Sequence, residues 1–173
     1  MRTLITNCGE IAHLSTGDDQ FPLSGHRLLD RENIVHPIGM SILINGNKIE
    51  KIAPMQDLIA EFAPWFPGKS ESVDTRVIDV NGMAIVPGFV DSHTHLIWSG
   101  DRASELSMRV SGKSYKDIAS SGGGIMKTVL ETRSAPLDSL VESGKRRVNN
   151  SLINGTTSIE AKSGYGLDLD SEV

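Results

Sequence analysis

The sequence holds a single cysteine, Cys8, in 173 residues. No internal disulfide can form from it, which suits a reducing compartment and predicts a cytoplasmic protein. Cys8 has no Cys-His pattern around it, so it reads as a packing residue on a short N-terminal strand rather than a nucleophile. A basic cluster is also missing: 17 basic residues are intermixed with 22 acidic ones, for a net charge of −5. That distribution argues against a nucleic-acid surface and leaves a small molecule as the expected partner. Nothing reads as a signal peptide, since Met1 to Asn7 is too short, and no apolar run approaches the length of a membrane span. The expectation is a soluble chain with no membrane partner.

Against that background the run Ile85-Val86-Pro87-Gly88-Phe89-Val90-Asp91-Ser92-His93-Thr94-His95 stands out. Ala84 to Val90 reads as a buried parallel strand, apolar and partly β-branched, with Pro87-Gly88 a local irregularity rather than a terminus. Side chains alternate faces along a strand, so His93 and His95 share one face while Ser92 and Thr94 turn away. Two imidazoles converging on one point suit a divalent metal, and the C-terminal end of a strand is where a β/α barrel keeps its chemistry. A bare His-x-His also caps ordinary strands. The apolar strand, the Pro-Gly step, Asp91 just before the pair and the glycine-rich segment after it favour the metal. Spacing does not choose between zinc and iron.

Upstream, Leu4 to Asn7 and Glu10 to His13 are short β-like pieces broken at Gly9, Gly17-Asp18-Asp19 is a turn, and Ser15 to Pro37 reads as polar loop. Met40 to Ile44 and Lys48 to Ile52 alternate around Asn45-Gly46-Asn47, a hairpin signal. Asp57 to Phe62 reads as a short helix, and Arg76 to Val80 as a strand before the Asn81-Gly82 turn. The expected organisation is a small β domain over residues 1–83 feeding a barrel portion over 84–173. In that portion Ser114 caps a helix over Tyr115 to Ala119, and Gly122-Gly123-Gly124 breaks it. No strand and no Lys-Ser or Lys-Thr pair accompanies the glycines as a phosphate cradle would need, so they read as a flexible loop beside the site. Ile125 to Arg133 is helical. Pro136 to Asn154 is a longer helix, with Leu137, Leu140, Val141, Val148 and Leu152 spaced for a buried stripe and Asn154-Gly155 as its stop. Thr156 to Ala161 is a strand that delivers Lys162 to Asp168 to the same end as the histidines. Asp168 to Val173 looks like the start of a helix, its acidic residues favouring the N-terminal dipole.

The His-x-His closing that first strand resembles the opening of the amidohydrolase superfamily. Trp98-Ser99-Gly100-Asp101-Arg102, Gly112-Lys113-Ser114-Tyr115, Ser121-Gly122-Gly123-Gly124-Ile125 and Lys162-Ser163-Gly164-Tyr165-Gly166-Leu167-Asp168, in that order and spacing, are similar to the branch that opens the imidazolone ring in histidine degradation. The resemblance runs from about Val77 to Val173. Upstream only the layout of a small N-terminal β domain agrees, and Gly17 to Pro37 is a longer loop than usual. What the resemblance implies is an α/β fold: a small N-terminal β-sandwich-like domain followed by the first units of a metal-dependent (β/α)8 (TIM) barrel, incomplete in this chain. A closed barrel takes about 250 residues and only about 80 follow Asp91, so the length predicts the N-terminal part of a longer protein. The implied reaction is metal-dependent hydrolysis of the cyclic amide of 4-imidazolone-5-propanoate to N-formimidoyl-L-glutamate.

The resemblance also implies roles for particular residues. His93 and His95 bind one divalent metal, Zn or Fe, while the remaining ligands and the proton-transfer residues lie on later strands, so no catalytic residue is expected in this chain itself. Arg102 holds the propionate of the substrate, and Tyr165 contacts the substrate. A guanidinium binds a carboxylate through two parallel hydrogen bonds, which fixes orientation as well as charge. By position alone, Arg102 is a loop arginine able to pair with Asp101 or Glu105. Tyr115 is the weaker candidate, a packing residue before a substrate contact. Binuclear members of the superfamily bridge their metals with a carboxylated lysine on the fourth strand, whereas Lys162 follows the second, so a mononuclear site is expected. Asp91 supports the strand end. Glu160 and Lys162 share a face, as an ion pair or as a contact behind the site. A homodimer of the complete protein fits the resemblance. Two rivals stand beside this reading: another amidohydrolase of the dihydroorotase, hydantoinase or aminohydrolase type, and a non-catalytic binding module that retains the fold's opening. Arg102, the triple glycine and Tyr165 weigh against the first, and metal content separates the second.

Overall fold

The computed structural model describes residues 1–14, 25–62 and 75–172. The expected turn at Gly17-Asp18-Asp19 lies outside them. The chain is mixed α/β and divides into two compact units, Met1–Pro87 and Gly88–Val173.

The first unit is built on a four-stranded sheet of order β5-β4-β1-β6. Strand β1 (Arg2–Thr6) runs antiparallel to β4 (Met40–Asn45), with Leu4 opposite Leu43, and parallel to β6 (Thr75–Asp79), with Leu4 opposite Val77. Strand β5 (Lys48–Pro54) returns from β4 through a two-residue turn, where Gly46 takes φ +61, a left-handed backbone that glycine adopts without steric cost. The central strands are covered on both faces. Leu4, Leu43, Ala53 and Leu58 pack together on one side, with Met55 against them. Neighbouring positions point the other way, where Cys8, Ile11 and Ile42 form a second cluster with Ile5, Ile44 and Ile85. That double burial is why β4 departs from the expected alternation and is apolar at the consecutive positions Ile42, Leu43 and Ile44. Cys8 is a buried free thiol whose pKa is raised by burial, which fits packing rather than nucleophilic chemistry.

Helix α2 (Met55–Phe62) begins two residues before the expected start and buries Leu58 completely. Leu58→Ala should therefore lower the unfolding free energy of this unit by about 2–5 kcal/mol, the usual cost of emptying a closed aliphatic site. A urea titration measures it, and a loss within error of zero would mean that the cluster collapses into the gap. The expected polar loop up to Pro37 is more ordered than its composition suggests. Gly25–Leu29 forms a 3-10 turn, followed by helix α1 (Arg31–Ile34) and strand β3 (Val35–His36) paired antiparallel with β2 (Ile11–Ala12). Ile34 buries its side chain and Arg31 pairs with Glu10, contacts between residues far apart in sequence that a local reading does not contain.

In the second unit, strand β7 (Phe89–Thr94) lies parallel to β8 (Thr156–Ala161). Parallel neighbours require a long crossover, here made by α3 (Ala103–Val110), α4 (Tyr115–Ser120), α5 (Ile125–Ser134) and α6 (Leu137–Ile153). The short helix α7 (Leu169–Glu172) follows β8. Ser114 caps α4 as expected, accepting from the Asp117 N–H while the Asp117 carboxylate takes the Ser114 N–H, a complete capping box. Gly155, at φ +91, turns the chain from α6 into β8.

Two expectations are corrected here. The run Ala84 to Val90 is not one buried strand. Ile85 accepts from the Ala12 N–H and donates to Glu10, so it belongs to the β2 side of the first unit, and the Pro87-Gly88 step is a terminus. Proline has no N–H to continue a ladder, and a side chain at Gly88 would collide with Thr157. Strand β7 starts only at Phe89, and Val90 is 70% exposed because β7 has one strand neighbour among the described residues. The expected stripe on α6 is not buried either: Leu137, Val141, Val148 and Leu152 are exposed, Leu137 at 74%. The helix docks instead through Gly144, where an added Cβ would approach Ile97 Cδ1 to 2.8 Å. Among the described residues, no helix is long and apolar enough to cross a membrane.

Candidate active site

Because β7 and β8 are parallel, their C-terminal ends lie side by side, and the Lys162 N–H donates to the Thr94 carbonyl at 2.8 Å to carry the pairing to the strand ends. His93 lies next to the last residue of β7, Thr94, and His95 follows the strand. The register shifts between Asp91 and Thr94, so simple alternation is interrupted there. Asp91 secures the irregularity by accepting from the His93 N–H at 3.1 Å, the strand-end support expected of it. The two imidazoles still converge, with ring centroids 5.4 Å apart and planes at 78°.

Tyr165 reaches the same place from the loop after β8, its ring 5.1 Å from His95 and 6.4 Å from Trp98. The loop is held on both sides. Glu172 accepts from the backbone N–H groups of Gly164, Gly166 and Leu167 at 2.8–2.9 Å, while Arg133 donates to the Gly166 carbonyl and pairs with Asp168 at 2.7 Å. Gly164 is required where it stands: at φ +143, a Cβ would lie 2.8 Å from His95 Cε1. His95 Nδ1 is buried and has no hydrogen-bond partner among the described residues. Buried polar atoms are rarely left so, and a site that takes a ligand is one reason for an exception.

The hydrogen bonds to Glu172 favour its charged form, the Leu167 N–H most, and hold its pKa below the ordinary glutamate range. A depressed carboxyl pKa stabilises the folded loop above the unfolded value and loses that contribution as pH falls through the folded one. Acidification through and below the ordinary glutamate range should therefore release Tyr165. Tyr165 to Trp98 energy transfer follows the transition, and Glu172→Gln should abolish its pH dependence. A transition unchanged in that variant would mean that another group holds the loop.

Loop 96–102 is positioned from the helices. Arg147 of α6 donates to the carbonyls of Leu96 at 2.9 Å and Trp98 at 3.0 Å, and its guanidinium carbon lies 3.9 Å from the Trp98 ring centroid. Burial lowers the Arg147 pKa, with Arg146 adding to the effect. Lys127 donates to the Asp101 carbonyl at 2.6 Å, and Thr132 accepts from the Ser99 N–H. Arg102 then stands at the N-terminus of α3, a helix absent from the sequence reading, and its side chain donates to Glu105 through Nε at 2.8 Å and Nη2 at 2.6 Å. That bond raises the Arg102 pKa most, and the phenols of Tyr115 and Tyr165 contribute.

The sequence-derived candidates His93, His95 and Tyr165 thus come together, while Arg102 is engaged by Glu105. Lys162 is paired with Glu160, the ion-pair alternative for that couple. The triple glycine is a tied turn rather than a free loop, since the Gly124 N–H donates to Glu105 at 2.7 Å. No group of three histidine, cysteine or acidic side chains able to hold a metal occurs among the described residues. His13 and His36 face each other at 4.5 Å in the first unit, where burial and His13 lower the His36 pKa. Sequence reasoning missed Arg147 and Glu172. Glu105 was legible only as an alternative pairing partner of Arg102, three positions on.

The arrangement is thus two converging imidazoles at the C-terminal end of a parallel strand with Tyr165 edge-on to one of them, while Arg102 is held by Glu105. In sequence, the chain is a relative of the imidazolonepropionases. It is 40% identical over 172 residues to the imidazolonepropionase of Symbiobacterium thermophilum, covering 98% of this chain and 37% of that protein. It is 45% identical over 138 residues to that of Hahella chejuensis, covering 80% and 30%. It is 35% identical over 175 residues to that of a Geobacillus species, covering 100% and 39%. The chain therefore spans 30% to 39% of the length of these curated relatives. No family model matches it. Among solved structures, a triazine hydrolase from Arthobacter aurescens aligns at a TM-score of 0.46 and 19% identity, covering 92% of this chain and 28% of that one.

Proposed function

We propose that the protein hydrolyses the cyclic amide of 4-imidazolone-5-propanoate to N-formimidoyl-L-glutamate, and that this chain contributes the first part of the site. The observation that carries the reading is the convergence of His93, His95 and Tyr165 at the shared end of β7 and β8, with His95 Nδ1 buried and unpartnered. In domain terms, the expected boundary at 83/84 moves to 87/88: Met1–Pro87 is the N-terminal β domain and Gly88–Val173 the opening of a (β/α)8 barrel. The buried nitrogen and the facing imidazoles fit a divalent metal, zinc or iron, with His93 and His95 as two of its ligands. Such an ion, when bound, lowers the pKa of a water and polarises a carbonyl. Lys162 follows the second barrel strand rather than the fourth and is paired with Glu160, so it is not a bridging lysine, and the site is read as mononuclear. Arg102 binds the propionate and fixes which end of the substrate faces the histidines. Tyr165, stacked edge-on to His95, contacts the ring and narrows the access of water to it. The substrate is a small molecule in the cytoplasm, and the complete protein is a homodimer.

The test is a chimaera in which this chain replaces the aligned 172 residues of the Symbiobacterium thermophilum protein. Disappearance of the imidazolone chromophore should proceed in the metal-loaded chimaera and leave dihydroorotate untouched. A soluble, metal-loaded chimaera that does not turn over imidazolonepropanoate would overturn the reading in favour of a different amidohydrolase or a binding module.

A further inference from the structure

Helix α3 buries an unusual residue. Leu106 and Val110 are exposed, while Glu105 is its buried side chain, 5% accessible. A carboxylate is costly to bury unless its lone pairs are satisfied, and here each oxygen has a separate partner. Oε1 accepts from the Gly124 N–H at 2.7 Å, and Oε2 accepts from Arg102 Nε and Nη2. Glu105 therefore ties the arginine to the glycine turn between α4 and α5. The turn is shaped for this: Gly124 takes φ +74, and a Cβ on Gly123 would come within 3.0 Å of Glu105 Oε1.

The consequence falls on Arg102. Its Nε edge is consumed, its side chain is 40% exposed, and Nη1 has no hydrogen-bond partner among the described residues. The guanidinium is planar, so fixing Nε and one Nη2 proton fixes the plane and leaves the outer edge, Nη1 with the second Nη2 proton, as the one available fork. We propose that Glu105 is a positioning residue that orients Arg102 so that its Nη1–Nη2 edge, and no other, receives the carboxylate of the ligand. This rests on the reading of Arg102 as the carboxylate anchor. Glu105 also offsets the arginine's charge, so that selection depends on the direction of the fork more than on charge attraction alone.

The two contributions separate by experiment on the metal-loaded chimaera, whose form with Arg102 and Glu105 intact is the unvaried chain, labelled with ¹⁵N and titrated with imidazole-4-propanoate, with its neutral methyl ester as control. In the unvaried chain the Arg102 Nε–H should exchange slowly and stay on Glu105 while the carboxylate probe binds. Glu105→Asp keeps the charge but cannot span both partners, and Glu105→Gln keeps the length but turns an amide donor toward Gly124 or Arg102. Both variants should bind the probe at least about tenfold more weakly, the loss expected when one of two charge-assisted contacts is misaligned, with faster Nε–H exchange. Should Glu105→Gln fail to fold, Glu105→Asp decides. Equal or tighter probe binding in the variants, or release of Nε–H by the probe in the unvaried chain, would overturn the proposal, since Glu105 would then be a competitor and not a guide. Undiminished binding in Arg102→Met, or no binding by the unvaried chain, would bring down the anchor reading itself.

Discussion

His93→Ala and His95→Ala are each expected to remove bound metal and ring-opening turnover together. The imidazoles lie 5.4 Å apart at the end of one strand, and each would supply one nitrogen to a single ion. Catalytic zinc sites use three protein ligands, and loss even of a group that only orients a ligand costs about 10–100-fold in metal affinity, so loss of a ligand should cost more than about 100-fold. Metal content after gel filtration, together with chimaera turnover, reads both effects. Tyr165→Phe, which keeps the ring against His95, should retain the metal. His13→Ala is a second control, because His13 and His36 form another close pair, in the first unit. If His13→Ala stripped the metal and His93→Ala did not, the ion would belong to that pair and the assignment at β7 would fail.

The reasons why part of this site was legible in the sequence are local ones. His-x-His, Gly164-Tyr165-Gly166 and the Ser114 cap are short motifs: the Ser114 cap forms as expected, and the two imidazoles come within 5.4 Å of each other with Tyr165 next to His95. The hairpin at Gly46 and strand β8 are legible for the same reason. What the sequence did not reveal depends on distant partners. Ala84 to Val90 has the composition of one strand, yet Ile85 finds a better partner in β2 and Pro87 interrupts the ladder, so the run is divided. The apolar spacing on α6 is real, but the helix approaches loop 96–98 through Gly144 and Arg147, because a glycine permits close contact and a guanidinium can satisfy two carbonyls at once. A hydrophobic pattern records which faces could be buried. It does not record which one a small residue allows nearest. Glu105 shows the same limit for charge: an i+3 partner of an arginine looks like a solvated pair until the Gly124 N–H, 19 positions away, is seen to fill its other oxygen.

Arg102→Met should weaken substrate capture while leaving metal content intact. The residue stands apart from the histidines, and its expected partner is the carboxylate of the substrate rather than the reacting carbonyl. Loss of a charge-assisted pair costs about 1.5–3 kcal/mol, equivalent to roughly tenfold to more than a hundredfold in kcat/KM. If the propionate contact is equally strong in the ground and transition states, the whole loss appears in KM, and if it aligns the ring for attack, kcat falls as well. The substitution has a second consequence, because it strips Glu105 of the guanidinium that favours its charged form and leaves a buried carboxylate with one backbone partner. Arg102→Met combined with Glu105→Gln removes that complication: a carboxylate anchor predicts that the double variant is as impaired in kcat/KM as the single one, whereas recovery of activity on neutralising Glu105 would mean that the single variant had failed through a misfolded α3. Arg102→Lys should recover only part of the activity, since an ammonium supplies charge without the planar fork. Unchanged kinetics on imidazolonepropanoate in Arg102→Met would make this arginine no more than the partner of Glu105.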